Sequence, residues 1–186
     1  MYIRHYYCCQ ILHWAASPKR DAEPAEKKEA FFAYNTDEGT VYDLTPNTVN
    51  FAQIVAYNGV YESEPSYTIN FTMNPGRPIQ VSMLNAYPLT DNIIALTWAP
   101  PRIINGELRG FNIVYRKVEG RGPDGEMSLS QDHQELYIAD PRSREYRVRG
   151  LVPETEYEFT VRAESNGGVG EPRSVCATTL HYDLTE

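Results

Sequence analysis

The chain has 186 residues, 41% of them hydrophobic and 23% charged, so it can bury a core and is not a disordered polymer. A formal charge of -8 excludes a duty that rests on attraction to nucleic-acid phosphates or to anionic lipid. With 14 Tyr, 13 Pro and 12 Gly, composition favours strands and turns over helices.

Residues 1–14 are apolar and aromatic, yet Arg4, His5, Gln10 and His13 interrupt them. Neither a signal-peptide core nor a run of about 18 apolar residues is present in this chain, so any membrane attachment would use a segment outside it. Strand formers predict a first strand over 6–15, with Cys9, Ile11 and His13 on one face and Leu12 and Trp14 on the other. His5, Cys8, Cys9 and His13 have the residue types of a zinc site. On a strand, however, His5 to His13 spans about 27 Å at roughly 3.3 to 3.4 Å per residue and cannot converge on one ion. Residues 17–30 are charged and hold Pro18 and Pro24, which predicts a solvated loop or, over 25–30, one helical turn. A short strand follows at 31–34, a turn at Asp37, Glu38 and Gly39, a strand at 40–44 and a corner at Pro46. Cys8 and Cys9 point to opposite faces of a strand and Cys176 is remote, so no disulfide framework is legible.

In the second half the pattern is clearer. Strands are predicted at 79–84 and at 92–98, where Ile94, Leu96 and Trp98 share one face. Asn105 and Gly106 turn the chain into a strand over 108–118 with Phe111, Ile113 and Tyr115 aligned. Gly120 to Gly125 is a hairpin loop, and short strands fall at 126–130, 136–139 and 146–149. Leu151 and Pro153 make a corner, since proline has no amide hydrogen to give a ladder. Then Tyr157, Phe159, Val161 and Ala163 alternate with Glu158, Thr160 and Arg162, giving a strand at 155–164 with one buried face. A last strand is expected at 174–180.

A repeat ties the halves together. Val41, Leu44, Pro46, Thr48, Ala56, Glu64, Pro65 and Thr72 match Val148, Leu151, Pro153, Thr155, Ala163, Glu171, Pro172 and Thr179 at one constant spacing of about 107 residues, the size of a small sandwich domain. Leu96-Thr97-Trp98-Ala99-Pro100-Pro101, Asn105 to Phe111, the Leu151 to Tyr157 corner and Asn166-Gly167-Gly168-Val169-Gly170-Glu171-Pro172 resemble a fibronectin type III domain. They are similar to the tandem modules of neural cell-adhesion molecules such as contactins.

The resemblance implies an all-β chain of two tandem immunoglobulin-like sandwiches: 1–74, then a linker at 75–78, a complete domain at 79–180 and a tail at 181–186. The first has room for a C strand but not for A and B strands, and it carries Asn50 where the second has its corner tyrosine, Tyr157. Asn50, Ala52, Ile54 and Ala56 are expected inward and Phe51, Val55 and Tyr57 outward. Trp98, Leu151, Pro153 and Tyr157 are expected to be structural.

What the resemblance implies for function is a non-catalytic spacer and protein-recognition module of a cell-surface adhesion protein or receptor ectodomain, outside the plasma membrane. Partners would be other cell-surface or extracellular proteins, with no nucleic acid, no small-molecule substrate, no cofactor and no metal. Candidate recognition loops hold Arg121, Asp124 and Glu126, and Asn166 and Gly168. Asn70, in Asn70-Phe71-Thr72, is a glycosylation sequon. Arg142, Arg144, Arg147, Arg149 and Arg162 either form a basic stripe or pair with Glu145, Glu156 and Glu158. Rival readings are an intracellular scaffold module and the ectodomain of a receptor tyrosine phosphatase or kinase.

Overall fold

A computed structural model describes residues 7–17, 26–33, 36, 38–58 and 61–181. His5 and the charged loop at 18–25 lie outside these residues. The chain divides into two compact units, 1–74 and 75–186. Every regular element is a strand, and no helix is long and apolar enough to cross a membrane among the described residues.

In the first unit, β1 (Tyr7–Ala15) lies between β2 (Lys28–Ala33) and β3 (Val49–Asn58). Beyond β3 lie β4 (Tyr61–Glu62) and β5 (Ile69–Thr72), so the described residues form one antiparallel sheet. The strand expected at 31–34 starts earlier, and in place of a helical turn residues 28–30 pair with β1. No strand forms at 40–44. There the chain crosses the sheet face, with the Gly39 backbone against the Phe32 ring and the Asp43 carbonyl accepting from Lys28 Nζ at 3.3 Å.

That crossing decides what is buried. Register places Ile11, His13, Ala15, Asn50, Ala52, Ile54, Ile69 and Phe71 on the covered face. Asn50 and Ala52 are buried beneath the crossing segment, but Ile54, beyond it, is 51% exposed. Val55, expected outward, is buried on the opposite face, and Gln10 beside it accepts from the Tyr57 hydroxyl. With a single sheet, depth follows local cover and not strand parity.

His13 is also buried. Burial and then the Lys28 ammonium hold its pKa below the ordinary 6.5, against the upward pull of Asp43. The fold therefore keeps the neutral ring, while the unfolded chain takes up a proton first on acidification. Stability from this group is complete above pH 6.5 and is lost as pH falls from there through the lowered folded value. Protection factors of the β1 amides, exchange rates divided into the intrinsic rate at each pH, should fall over that window, and His13→Gln should flatten the dependence; a slope unchanged by the substitution would clear His13 of the effect.

The second unit is a two-layer sandwich. One sheet orders β10 (Glu145–Arg149), β7 (Ile93–Ala99) and β6 (Met83–Pro88). The other runs β12 (Gly168–Val169), β11 (Glu156–Ser165), β8 (Leu108–Arg121) and β9 (Met127–Ile138), with β13 (Arg173–Thr178) also on β11. Alternation in β7 and β11 turns Ile94, Leu96 and Trp98 toward Tyr157, Phe159, Val161 and Ala163, and these residues form the core with Phe111, Ile113 and Val148.

In this unit three of the expected strand assignments differ by more than two residues. The strand expected at 79–84 begins at Met83, because residues 78–82 are spoken for: Ile79 N donates to Ile103 O at 3.1 Å, and Arg173 Nη1 donates to the carbonyls of Val81 and Ser82 at 3.1 and 3.0 Å. Strands expected at 126–130 and 136–139 are one, β9, which stays paired because irregularities at Arg116/Val118 and Val118/Gly120 take up the mismatch. Finally, β8 runs on to Arg121 instead of stopping at 118.

Candidate protein-binding surfaces

The corner after β10 behaves as its sequence indicates. Tyr157 Oη accepts from Val152 N at 3.0 Å, Thr155 Oγ1 donates to Pro153 O at 2.8 Å, and Gly150 and Glu154 take positive φ. The first unit repeats each step at the matching positions. Thr48 Oγ1 donates to Pro46 O at 3.1 Å, Asp43 and Asn47 take positive φ, and Asn50 Oδ1 accepts from Thr45 N at 3.1 Å. Asn50 Nδ2 also donates to the carbonyls of Thr45 and Thr48. A short amide therefore closes this corner where the second unit uses a phenol. Tyr157→Phe should cost the second unit about 1 kcal/mol, the net worth of one hydrogen bond, read as a denaturation midpoint.

Trp98 is 3% exposed and packs on Phe111 with ring centroids 5.3 Å apart, while its indole Nε1 has no hydrogen-bond partner. Leu151 is buried and Pro153 exposed. Trp98 and Leu151 thus belong to the sandwich core with Tyr157, and Pro153 does not.

Loop residues Asn166 and Gly168 are turned to internal use. Asn166 Oδ1 accepts from Glu107 N at 2.9 Å, and Arg77 packs over Gly168. Between this turn and the Asn105-Gly106 turn runs the segment at 75–79. Gly76 N donates to Asn105 O at 2.7 Å, Asn105 Nδ2 to Arg77 O at 2.8 Å, Ser165 Oγ to Gly76 O at 2.9 Å and Glu171 N to Pro78 O at 3.1 Å. Residues 75–78 are thus bonded into the second unit. No proline or glycine count announces this; the signal is that three glycines, Gly106, Gly167 and Gly170, each sit where a Cβ would strike a neighbour at 2.2 to 2.5 Å.

The turn between β8 and β9 is free of such duties. Gly122 N donates to Glu126 O at 2.8 Å, Gly125 takes a φ of +80°, and Asp124 and Glu126 project as exposed carboxylates. Arg121, at its base, is bound to Glu156 at 2.6 Å, and this pair holds the guanidinium pKa above its usual value.

A larger surface lies on the outer face of β9, β8, β11 and β13, a shallow groove of about 640 Å³ that sequence reading missed. Its floor is made by residues of the parity opposite to the core: Asn112, Val114 and Arg116 on β8, paired across to Arg162, Thr160 and Glu158 on β11. Arg116 meets Glu158 at 3.7 Å, and Asn112 Nδ2 donates to Glu135 at 2.5 Å. Asn112 Oδ1, by contrast, is buried and has no partner among the described residues, and Arg162 makes no ion pair among them. Arg162 is exposed, and an exposed guanidinium suits a polar partner that brings a carboxylate. Of the other arginines, Arg142 reaches Asp140 at 3.8 Å and Arg144 donates to the carbonyls of Pro141 and Ser143. Pairing with Glu145 does not occur, and Glu156 and Glu158 are taken by Arg121 and Arg116.

The profile of the fibronectin type III domain matches residues 79–179. Among curated proteins, Neuroglian of Drosophila melanogaster is 34% identical over 78% of this chain and 11% of its own length. The neural cell adhesion molecule L1-like protein of Mus musculus is 26% identical over 92% of this chain and 14% of its own length. This chain therefore spans about a tenth to a seventh of those relatives. Domains d3-d4 of the extracellular region of rat CD45 share the fold with a TM-score of 0.54 at 23% identity, covering 88% of this chain and 81% of that one. Profile, strand order and corner agree, and the chain belongs to the fibronectin type III domain family.

Proposed function

We propose that the chain is part of the ectodomain of a cell-surface adhesion protein, in which the second unit both spaces the molecule and recognises another protein. Its likeness to Neuroglian and to the L1-like adhesion protein across most of its length carries this reading. The first unit is read as half of a second sandwich of the same kind, supported by the corner shared at Asn50 and Tyr157. Recognition is assigned to the outer face around Asn112 and Arg162 and, separately, to the exposed Asp124 and Glu126 turn, and no step of catalysis is involved.

Beads coated with the full chain should bind neural cell surfaces or one another. Charge reversal at two outward positions, Arg162→Glu with Glu135→Lys, should weaken that binding about thirtyfold or more, the size of one interface hot spot. Binding insensitive to both changes would move the interface elsewhere, and no binding to any surface or bead would leave spacing alone.

A further inference from the structure

The sequon at Asn70 lies beside an aromatic row that the sequence does not reveal. Among the described residues strand β5 pairs only with β3, and its register sets Asn70 directly across from Phe51. On the next strand Phe51 faces Trp14, and the two rings stack with centroids 5.7 Å apart at 21°. Lys27 Nζ then sits 4.5 Å from the Trp14 ring centre. Lys27, Trp14, Phe51 and Asn70 thus form one line across the sheet, on the face opposite to His13 and Asn50. Asn70 is exposed and Phe51 is only half-buried.

We propose that Asn70 carries an N-linked glycan whose first N-acetylglucosamine lies against the free side of the Phe51 ring. Directly opposed residues of antiparallel strands have Cβ atoms about 4.5–5.5 Å apart, which brings a sugar on the Asn70 amide within reach of its cross-strand ring. The C–H faces of a pyranose carry slight positive charge and meet the negative face of an aromatic ring as a cation does, only more weakly. Lys27 occupies the Trp14 end of the row in that way, and the glycan occupies the other end. The sugar also covers the unpaired edge of β5, a strand otherwise open to addition by another chain.

The inference rests on the extracellular reading, and its test separates the two. The full chain is secreted from cultured animal cells behind an added leader, released glycans are read by mass after peptide N-glycosidase treatment, and the glycan is trimmed to a single N-acetylglucosamine for NMR. Asn70 should be occupied, with Asn70→Gln removing the mass shift, and the sugar C–H protons should be displaced upfield by the ring current. Phe51→Leu, which keeps an apolar strand residue, should leave occupancy intact and return those protons to free-sugar positions. An unoccupied Asn70 in folded secreted protein, or an occupied one with undisplaced protons, overturns the proposal. Failure of the extracellular reading has a different signature: the natural protein is recovered from cytosol without the mass shift, while the secreted form still carries it.

Discussion

Phe159→Ala should destabilise the second unit by about 3–5 kcal/mol, a large part of the roughly 5–15 kcal/mol that holds a domain of this size folded. Phe159 is completely buried at the centre of β11. Its ring lies 5.8 Å from Tyr115 and 6.1 Å from Tyr157, and the strands around it are fixed by pairing on both sides to β8 and β13. Little can collapse into the space left behind, so transfer and cavity costs add. A urea titration followed by Trp98 fluorescence reports on this core. Asp124→Ala, in the exposed turn, serves as the comparison and should stay within about 0.5 kcal/mol of the parent. Equal midpoints for the two variants would mean that Phe159 is not where stability is concentrated.

Gly167→Ala should cost about 1–3 kcal/mol by overpacking and detach the segment at 75–79. Its new Cβ would lie 2.2 Å from the Gly76 carbonyl oxygen and 2.5 Å from the Gly76 carbonyl carbon, with Pro75 backbone at 2.7 Å. Backbone cannot rotate away as a side-chain tip can, so either this strand-to-segment approach opens or the turn shifts. Amide exchange at Gly76, Ile79 and Glu171 should rise together, since their bonds close the same clamp. Gly125→Ala provides the contrast, because its methyl meets nothing and only the positive φ opposes it, at about 1–2 kcal/mol. Exchange at 76 and 79 that is unmoved by Gly167→Ala would show that the segment is held by something other than this approach.

Much of the second unit is legible from parity alone. Ile94, Leu96 and Trp98, and Tyr157, Phe159, Val161 and Ala163, stand two apart and all are buried, because each strand has a sheet opposite it. The same parity misleads in the first unit. Ile54 is exposed because cover on its face comes from one crossing segment that does not reach it, and strand alternation carries no information about where a loop passes overhead; Val55 is buried on the other face. For the same reason residues 40–44 have the composition of a strand without a ladder to join. The loop residues were legible as turns, but their bonds to the rest of the second unit were not. Asn166 and Gly168 have the chemistry of an exposed turn, but Asn166 is engaged by the Glu107 amide and Gly168 by the Arg77 side chain, both far earlier in the chain, a relation no local pattern records. The outer-face groove was hidden differently: Asn112, Thr160 and Arg162 look like ordinary solvent-facing polar residues, and only the register shows them side by side, with one acceptor left over.

The two corners also bear on the order in which the chain assembles. The Tyr157 and Asn50 bonds each join groups five positions apart, whereas the pairing of β11 with β8 closes a loop of about forty residues or more. The short contact has the smaller entropy to overcome, and it fixes the directions of β10 and β11, which belong to opposite sheets. Removing it should therefore slow refolding more than it hastens unfolding. In a stopped-flow chevron of Tyr157→Phe the refolding arm should drop while the unfolding arm stays near its original line.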